Sequence, residues 1–572
     1  MLLTLLRRAF RRHGRPAELN AAGVAHYQRG ELESAERCFR EAARHAPQDL
    51  EIWNHLAAVL LHQKKHGAAL PVVAHLVELA PERAVAHFDL GTCYNRIGRN
   101  REAIAAYETA LALQPDLHAA HAHVVNAYLD GCEWDAVERW LASFHAFRAC
   151  APPEVWTRRM QPFAALTLAP GAVAKEVARM AAARISTSVE RGSTPTGARA
   201  GRKIRVAYVS SDFNNHAAAQ LTYELYERHS RRQFEVYGYS IGPDDGSRYR
   251  KHIERTCDHF FDAWQETDER TAARIRNDGI DILVDLNGHS DRNRMRVFAH
   301  RPAPVQVNYI YPGTSGADFL DYFISDSIAT PPGCEDEFTE RVVYMPDSYF
   351  ISHGNHPVAA GVTREQCGLP EDRFVYCDFN SARKIDRRIF AVWMSILRRV
   401  PASVLWLVKP GELAEANLRK YARTCGVDPA RIVFADPASM AVYLARLRLA
   451  DLFLDTLVYN AHTGASDALS AGLPVLTCPG RTLATRVAAS ILHAAGMDDL
   501  AVRDMEAYEE LAVALANRPQ RLSELKLRLA KTRRTCALFD TSRFVRNLEA
   551  AYVRMHEMRL RGEAPASFKV QG

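Results

Sequence analysis

The amino-acid sequence predicts an all-α repeat arm followed by two Rossmann-like α/β halves. Three observations carry that prediction. The first quarter of the chain repeats with a 34-residue period. The remainder twice runs through short apolar strands alternating with helical stretches. Near the end, residues 452–477 (LFLDTLVYNAHTGASDALSAGLPVLT) read as a strand, a polar loop, a helix and a second strand. Such a unit is normally parallel, and its strand-to-helix loop lies at the ligand-binding edge of the sheet.

Composition sets the outer bounds. The chain has 572 residues, enough for three or four domains, and 48% apolar with 24% charged residues is typical of a folded globular protein. A net charge of +6 arises from 73 basic and 67 acidic residues, which is compatible with anions and points to no particular partner. No nucleic-acid motif accompanies it. The eleven cysteines are scattered, odd in number and free of any C-x-x-C pair, which predicts free thiols in a reducing cytoplasm and no structural zinc. The start, MLLTLLRRAFRRHGR, has too short an apolar run for a signal peptide, and its charges follow that run. Residues 1–15 are expected to form a helix, either on a membrane surface or capping the next domain. No stretch is long and apolar enough for a membrane span.

Residues 16–150 hold the repeat. Gly23, Ala57 and Gly91 are 34 apart, as are Ala35, Ala69 and Ala103, then Phe39, Val73 and Tyr107, then Pro47, Pro81 and Pro115. Small residues let paired helices approach, bulky ones fill the groove and proline ends the second helix. With Trp53, Tyr94 and Gly98 in the expected columns, the segment resembles three tetratricopeptide repeats. A fourth unit from His118 keeps Tyr128 and Gly131 and lacks the later columns, so it reads as a cap or transition. Solenoids of this kind have a groove for extended peptides or helices, although a short array can also serve only to dock on the next domain. The HAAHAH run suggests a metal cluster, but His121 and His123 diverge on a helix and read as solvated or groove-lining.

Residues 151–200 are Ala- and Arg-rich helix ending in the linker RGSTPTGARAGRK. Strands are then expected at Lys203–Ser210, Phe234–Ser240, Ile280–Asn287, Val305–Ile310, Asp321–Ser325 and Arg341–Met345, with helices around Gln220–His229 and Thr271–Asp278. After a break near His353–Gly361 the pattern restarts at Arg373–Phe379, Ser403–Val408, Arg431–Phe434, Ala450–Leu454 and Leu473–Thr477, and long helices run from Pro519 to about Arg561.

Four strand-end loops carry candidate chemistry. In SSDFNNH, His216 opens a helix and is either a general base, an anion ligand or a plain cap. In RPAPVQVNYIYPGTSG, Gly313 and Gly316 allow backbone N–H groups near a ligand, or form an ordinary turn. In DFNSARKIDRRIF, Asn380 and Lys384 follow the first strand of the second half, where a lysine can neutralise phosphate or lie on the surface. In NAHTGASD, His462 and Thr463 stand at a helix start suited to phosphate, and Asp467 lies one turn in, within reach of a sugar hydroxyl. An ordinary capped helix is the alternative there. The chain contains no D-x-D pair, so a departing diphosphate would have to be met by Lys384, His462 and a helix N-terminus.

Taken in order, the repeats, RVAYVSSDFNNH, RPAPVQ…YPGTSG…DY, FN…KID, SVLWL and LDT…HT…D-x-L-x-AG resemble the O-GlcNAc transferase family over nearly the whole chain. The resemblance implies a GT-B pair of Rossmann-like domains behind a tetratricopeptide α-solenoid. It implies an inverting, metal-independent transfer of N-acetylglucosamine from UDP-GlcNAc to serine or threonine hydroxyls of proteins, without a cofactor. His216 then matches the family's cleft histidine, proposed as a base, and Lys384 the lysine on the leaving diphosphate. Pro312, Gly313 and Thr314 match the loop beside the sugar pocket, Asn380 and Ser381 the diphosphate-side loop, His462 and Thr463 phosphate and uridine contacts, and Asp467 the ribose-binding aspartate. Ser381, Arg383 and Gly464 depart from the animal members, and the long insertion between their catalytic halves is absent.

The expected division is an N-terminal helix (1–15), repeats (16–150), helical linker (151–200), first half (201–355), linker (356–370), UDP-sugar-binding half (371–540) and C-terminal helix with tail (541–572). The expected partners are a UDP-sugar and protein or peptide acceptors, with the repeat groove as a candidate place for the latter, and no nucleic acid and no membrane span. Three rivals remain. These are a UDP-glucose or Asn-directed transferase, a repeat adaptor with a weakened cleft, and a sugar-nucleotide epimerase.

Overall fold

A computed structural model describes residues 2–192 and 202–572, with side chains from residue 14 onward. Most of the expected linker RGSTPTGARAGRK, residues 193–201, lies outside the described residues. The chain divides into two compact units, residues 1–147 with 410–417, and residues 148–409 with 418–572.

The first unit is a helical solenoid. Its helices are α1 (Leu2–Gln28), α2 (Leu32–His45), α3 (Leu50–His62), α4 (His66–Leu79), α5 (Ala84–Arg96), α6 (Asn100–Leu113), α7 (His118–Asp130) and α8 (Trp134–Cys150). The predicted small-against-large packing is visible atom by atom. A Cβ added to Gly23 would lie 2.5 Å from the Phe39 ring, and one added to Gly91 would lie 2.6 Å from the Tyr107 ring. The fourth unit is a complete helix pair, α7 and α8, and the expected helix 1–15 is continuous with the first repeat helix in α1.

The period also explains the histidines. Trp53 Nε1, His87 Nε2 and His121 Nε2 occupy one repeat column and bond the carbonyls of Pro47, Pro81 and Pro115 at 2.9, 2.8 and 2.9 Å. His121 therefore closes a turn. His123 packs on Phe88 and Tyr107, and burial pushes its pKa down to about 4, so it stays neutral.

The second unit holds two parallel sheets. The first contains β1 (Ile204–Ser210), β2 (Phe234–Ser240), β3 (His259–Asp262), β4 (Ile282–Asp285), β5 (Val305–Asn308), β6 (Tyr322–Asp326) and β7 (Arg341–Met345). The second contains β8 (Phe374–Asp378), β9 (Ser403–Val408), β10 (Ile432–Ala435), β11 (Leu452–Leu454) and β12 (Val475–Leu476). The last strand, β13 (Phe568–Lys569), returns to pair with β7, giving the order β13-β7-β6-β5-β4-β1-β2-β3 in one sheet and β10-β9-β8-β11-β12 in the other. Among the described residues all neighbouring strands pair in parallel, for example Tyr208 beside Gly238 and Val284. The strands are near-continuous apolar runs because helices cover both faces.

Strand order reverses between β1 and β4 in the first half and between β8 and β11 in the second. Ligands of open α/β sheets bind in the crevices that such reversals open at the strands' C-terminal ends. The loops after β1, β8 and β11, all singled out from sequence, lie at those two places. The Thr541–Leu560 helix goes back to the first half, where Glu549 accepts from His229 Nδ1 (3.0 Å) and Ser230 N–H (2.6 Å). Among the described residues no helix is long and apolar enough to cross a membrane.

Candidate active site

The second half supplies a buried charge cluster. β8 ends at Asp378 and β11 is followed by Asp455; both carboxyls are buried where the two strands pair. Lys384 reaches between them from a short helical turn, Ala382–Lys384, that opens at Ser381. Its Nζ donates to Asn380 Oδ1 (3.1 Å) and to the Asn460 carbonyl (2.9 Å), and it lies 4.2 Å from the centre of the Tyr459 ring. Two of its three N–H donors are thus on protein oxygens, and one is left for a ligand.

Burial lowers the Lys384 pKa to about 8, while Asp455 and Asp378 hold it up. Burial raises both carboxyls to about 7, and the nearby ammonium pulls each of them down. Desolvation is the dominant cause for all three, pushing the lysine down and the two carboxyls up. Asp378 Oδ1 accepts from Asn380 N–H and Nδ2, while its Oδ2 is buried without a partner, as suits a carboxyl carrying a proton. Asp455 instead shapes the loop beyond it. It accepts from Thr456 N–H (2.8 Å), Ala461 N–H (2.6 Å) and Thr477 Oγ1 (2.6 Å), which sets the Asn460 carbonyl against Lys384.

The Thr463–Ala471 helix starts beside this lysine and ends at Gly472, whose φ of +87° suits a helix C-terminus. His462 precedes it. Its Nε2–H is given to the Ala484 carbonyl (3.2 Å) and its ring stacks on Tyr459 at 4.5 Å. Burial and the Lys384 charge push its pKa down to about 3, so it is neutral. What the helix start offers an anion is therefore Thr463, free backbone N–H groups and the lysine, rather than a donating imidazole. Asp467 is buried one turn in, and Tyr443 donates to it; burial raises its pKa to about 7.

In the first half, His216 caps the Ala217–Thr222 helix. Its Nδ1 accepts from Ala218 N–H (3.2 Å) and lies 3.6 Å from Asp212 Oδ2; its side chain is 53% exposed. With Nδ1 accepting, the neutral ring carries its proton on Nε2, so this pose is that of a cap and a donor. Asn287, at the end of β4, ties the reversal together by donating to Ser211 Oγ and Asp212 Oδ2, both at 2.9 Å.

The YPGTSG loop is rigid. Thr314 Oγ1 donates to Glu340 Oε2 (2.6 Å), Ser315 N–H to Glu340 Oε1 (2.8 Å), and Asn308 Nδ2 to the Gly313 carbonyl (3.3 Å). Its glycines serve packing. A Cβ on Gly313 would meet Leu166 at 2.7 Å, and one on Gly316 would meet the Ala178 and Arg179 backbone at 2.2 Å. Gly316 has φ +69°, and Ile310 just before the loop has φ +72°, a rare conformation for a β-branched residue. The sequence offered close approach of a ligand or an ordinary turn for these glycines; to these the structure adds close approach of the Pro162–Leu168 and Ala172–Ser186 helices.

The loops of the two halves converge. Phe163 lies 6.3 Å from the Tyr311 ring and 5.9 Å from the Tyr459 ring, and Pro312–Thr314 share a small cavity with Thr482–Ala484. Asp378, Asp455, Tyr459, Tyr443 and Phe163 escaped the sequence reading. Acids ending two adjacent predicted strands were the available signal for the first two; nothing local distinguishes the aromatics.

Two Rossmann-like halves meeting at paired switch points, with a lysine and a helix start facing one crevice, define a GT-B architecture behind a tetratricopeptide arm. The profile of glycosyl transferase family 41 matches residues 172–360 and 357–548, and tetratricopeptide profiles match 16–59 and 48–116. The chain belongs to glycosyl transferase family 41. It is 38% identical over 377 residues to a probable UDP-N-acetylglucosamine–peptide N-acetylglucosaminyltransferase, SEC, of Arabidopsis thaliana, covering 64% of this chain and 39% of that one. It is 29% identical over 463 residues to the UDP-N-acetylglucosamine–peptide N-acetylglucosaminyltransferase of Caenorhabditis elegans, covering 61% and 40%. The chain thus spans about two fifths of the length of these relatives. A mutant O-GlcNAc transferase of Thermobaculum terrenum superposes with a TM-score of 0.72 at 26% identity, over 96% of this chain and 99% of that one.

Proposed function

We propose that this chain transfers N-acetylglucosamine from UDP-GlcNAc to serine or threonine hydroxyls of proteins, with inversion, in a reducing cytoplasm, and without a metal ion or cofactor. The observation that carries the reading is Lys384, held between two buried carboxyls at a switch point with one donor left over, beside the start of the Thr463 helix. The relatives' names supply the donor and acceptor classes.

In this reading the diphosphate lies on Lys384 and the helix start, and Asp467 takes a ribose hydroxyl after Tyr443 yields it. The loop Pro312–Thr314 and the loop Asn380–Ser381 flank the sugar and the diphosphate. The acceptor oxygen bonds to the anomeric carbon as the bond from that carbon to the β-phosphate oxygen breaks. The electron pair leaves with UDP, and the hydroxyl proton passes to a base. Charge growing on the leaving oxygen is met by groups already in place, so no reorganisation is needed at the moment of reaction. His216 reaches the base role only by turning Nδ1 away from Ala218; as a cap it orients the loop that carries Asp212. The repeat groove is proposed to hold the acceptor.

Incubation with UDP-GlcNAc or UDP-glucose and a peptide library, in EDTA, followed by mass spectrometry, tests this reading. Hexosamine on Ser or Thr supports it. Transfer of glucose alone, or modification of Asn, moves the assignment to the neighbouring activities. UDP binding with no transfer to any acceptor favours an adaptor.

A further inference from the structure

A cavity of about 610 Å³ lies apart from the donor crevice. It sits where the chain crosses between the two halves. One wall is His353–Val358 of the first crossing and another is Arg533–Ser542 of the second. Glu224 and Arg228 come from the first half, and Leu444, Arg448 and Ser470 from the second. Ser470 and Ala471 are the far end of the nine-residue helix whose start faces Lys384, about 13 Å away along the helix.

Its charge is unbalanced in a specific way. Four arginines line it, Arg228, Arg448, Arg533 and Arg534, against two acids, Glu224 and Asp540. Glu224 is taken by Arg228 (2.9 Å), and Asp540 accepts from Arg543 N–H (2.8 Å) as the cap of the last helix. Arg533 gives one N–H to the Ser470 carbonyl (2.8 Å). Arg448 and Arg534 are exposed and have no ion pair among the described residues. Burial keeps both histidines neutral, and only His356 has a ring nitrogen to spare. His353 accepts at Nδ1 from Asn355 N–H (3.1 Å), so its Nε2–H goes to the Gln220 carbonyl (3.0 Å). His356, packed on that ring at 4.2 Å, has a buried Nδ1 with no partner. Thr535, Thr541 and Ser542 add hydroxyls.

We propose that this cavity is a second binding site, for a small phosphorylated molecule. Arg448 and Arg534 take the phosphate, His356 Nδ1 and the hydroxyls take the rest, and the occupant bridges both crossings between the halves. Guanidinium forks match phosphate oxygens, and the volume is that of an ordinary small-molecule pocket. Nothing in the proposed transfer uses this cavity.

The test is calorimetric titration of the full chain with inorganic pyrophosphate, run with saturating UDP and again in the Lys384→Met variant, so that the donor crevice is filled in one arm and disabled in the other. The expected result is one site in both arms, weakened about tenfold by Arg448→Ala or Arg534→Ala and lost in the double variant. Thermal unfolding checks that the variants fold; if the double variant does not, Arg534→Lys, which keeps charge and loses the fork, must still weaken binding. Absence of binding in the wild type overturns the proposal. So does binding that Lys384→Met removes and the arginine variants leave intact, which would assign the ion to the donor crevice.

Discussion

Lys384→Met keeps the length of the side chain over Tyr459 and removes the charge. The ammonium donates to Asn380 Oδ1 and the Asn460 carbonyl with one N–H to spare, so the change removes one charge-assisted contact to the leaving oxygen. Loss of a single preorganised donor of this kind costs about 3–4 kcal/mol of transition-state stabilisation, or about 100- to 1,000-fold in kcat. Folding should survive. Removing one partner of a buried ion pair is usually severe because the other charge is stranded, but here Asp378 and Asp455 titrate at about 7 even beside the lysine. Burial already favours the protonated form of both carboxyls, so the two acids can go neutral once the ammonium is gone. The assay is UDP release from UDP-GlcNAc, with and without peptide acceptor, beside a thermal melt. A variant that melts like the wild type and turns over within about threefold of it would refute the assignment of Lys384 to the leaving group.

Three further outcomes follow from the same geometry. His216→Asn, which can still cap the Ala217–Thr222 helix, should retain most donor affinity; if it also retains turnover while His216→Ala loses it, the histidine acts as a cap, whereas a loss of about 100-fold in both marks it as the base. UDP affinity should be highest below about pH 8 and fall as pH rises, because Lys384, lowered from its usual value, is charged only below that point; calorimetry across pH 6.5–9.5 should find the dependence flattened in Lys384→Met. Gly316→Ala should cost about 3 kcal/mol or more, read as a large fall in Tm, since the new Cβ meets backbone at 2.2 Å and the φ of +69° disfavours it; an unchanged Tm would mean that the Ala172–Ser186 helix is free to shift.

What the sequence revealed was what repeats or alternates. The 34-residue columns foretold the Gly23–Phe39 and Gly91–Tyr107 contacts because helix packing depends on side-chain size at fixed spacing. The apolar runs at Ile204–Ser210 and Ser403–Val408 were legible because strands covered on both faces leave little room for polar residues. β3, with exposed His259 and Asp262, and the two-residue β13 carry no such signal; neighbours recruit them. In the site, the family resemblance supplied the expected roles of Lys384 and the Thr463 helix start, and their places at strand ends could be read from residue order. The commitments of individual atoms could not. That His462 spends Nε2–H on Ala484 and that Tyr443 already occupies Asp467 are decided by other chain segments, and that His216 accepts at Nδ1 from Ala218 is a choice of rotamer and tautomer that residue order does not reveal. The packing of the YPGTSG glycines was hidden as well, since the helices that press on them lie well over a hundred positions earlier.

The most direct test of a metal-free donor site at the β8–β11 reversal is calorimetric binding of UDP in EDTA to the wild type and to Lys384→Met. The account predicts saturable one-to-one binding to the wild type that weakens at least tenfold in the variant. Binding that requires a divalent cation, or that is indifferent to Lys384, would contradict it.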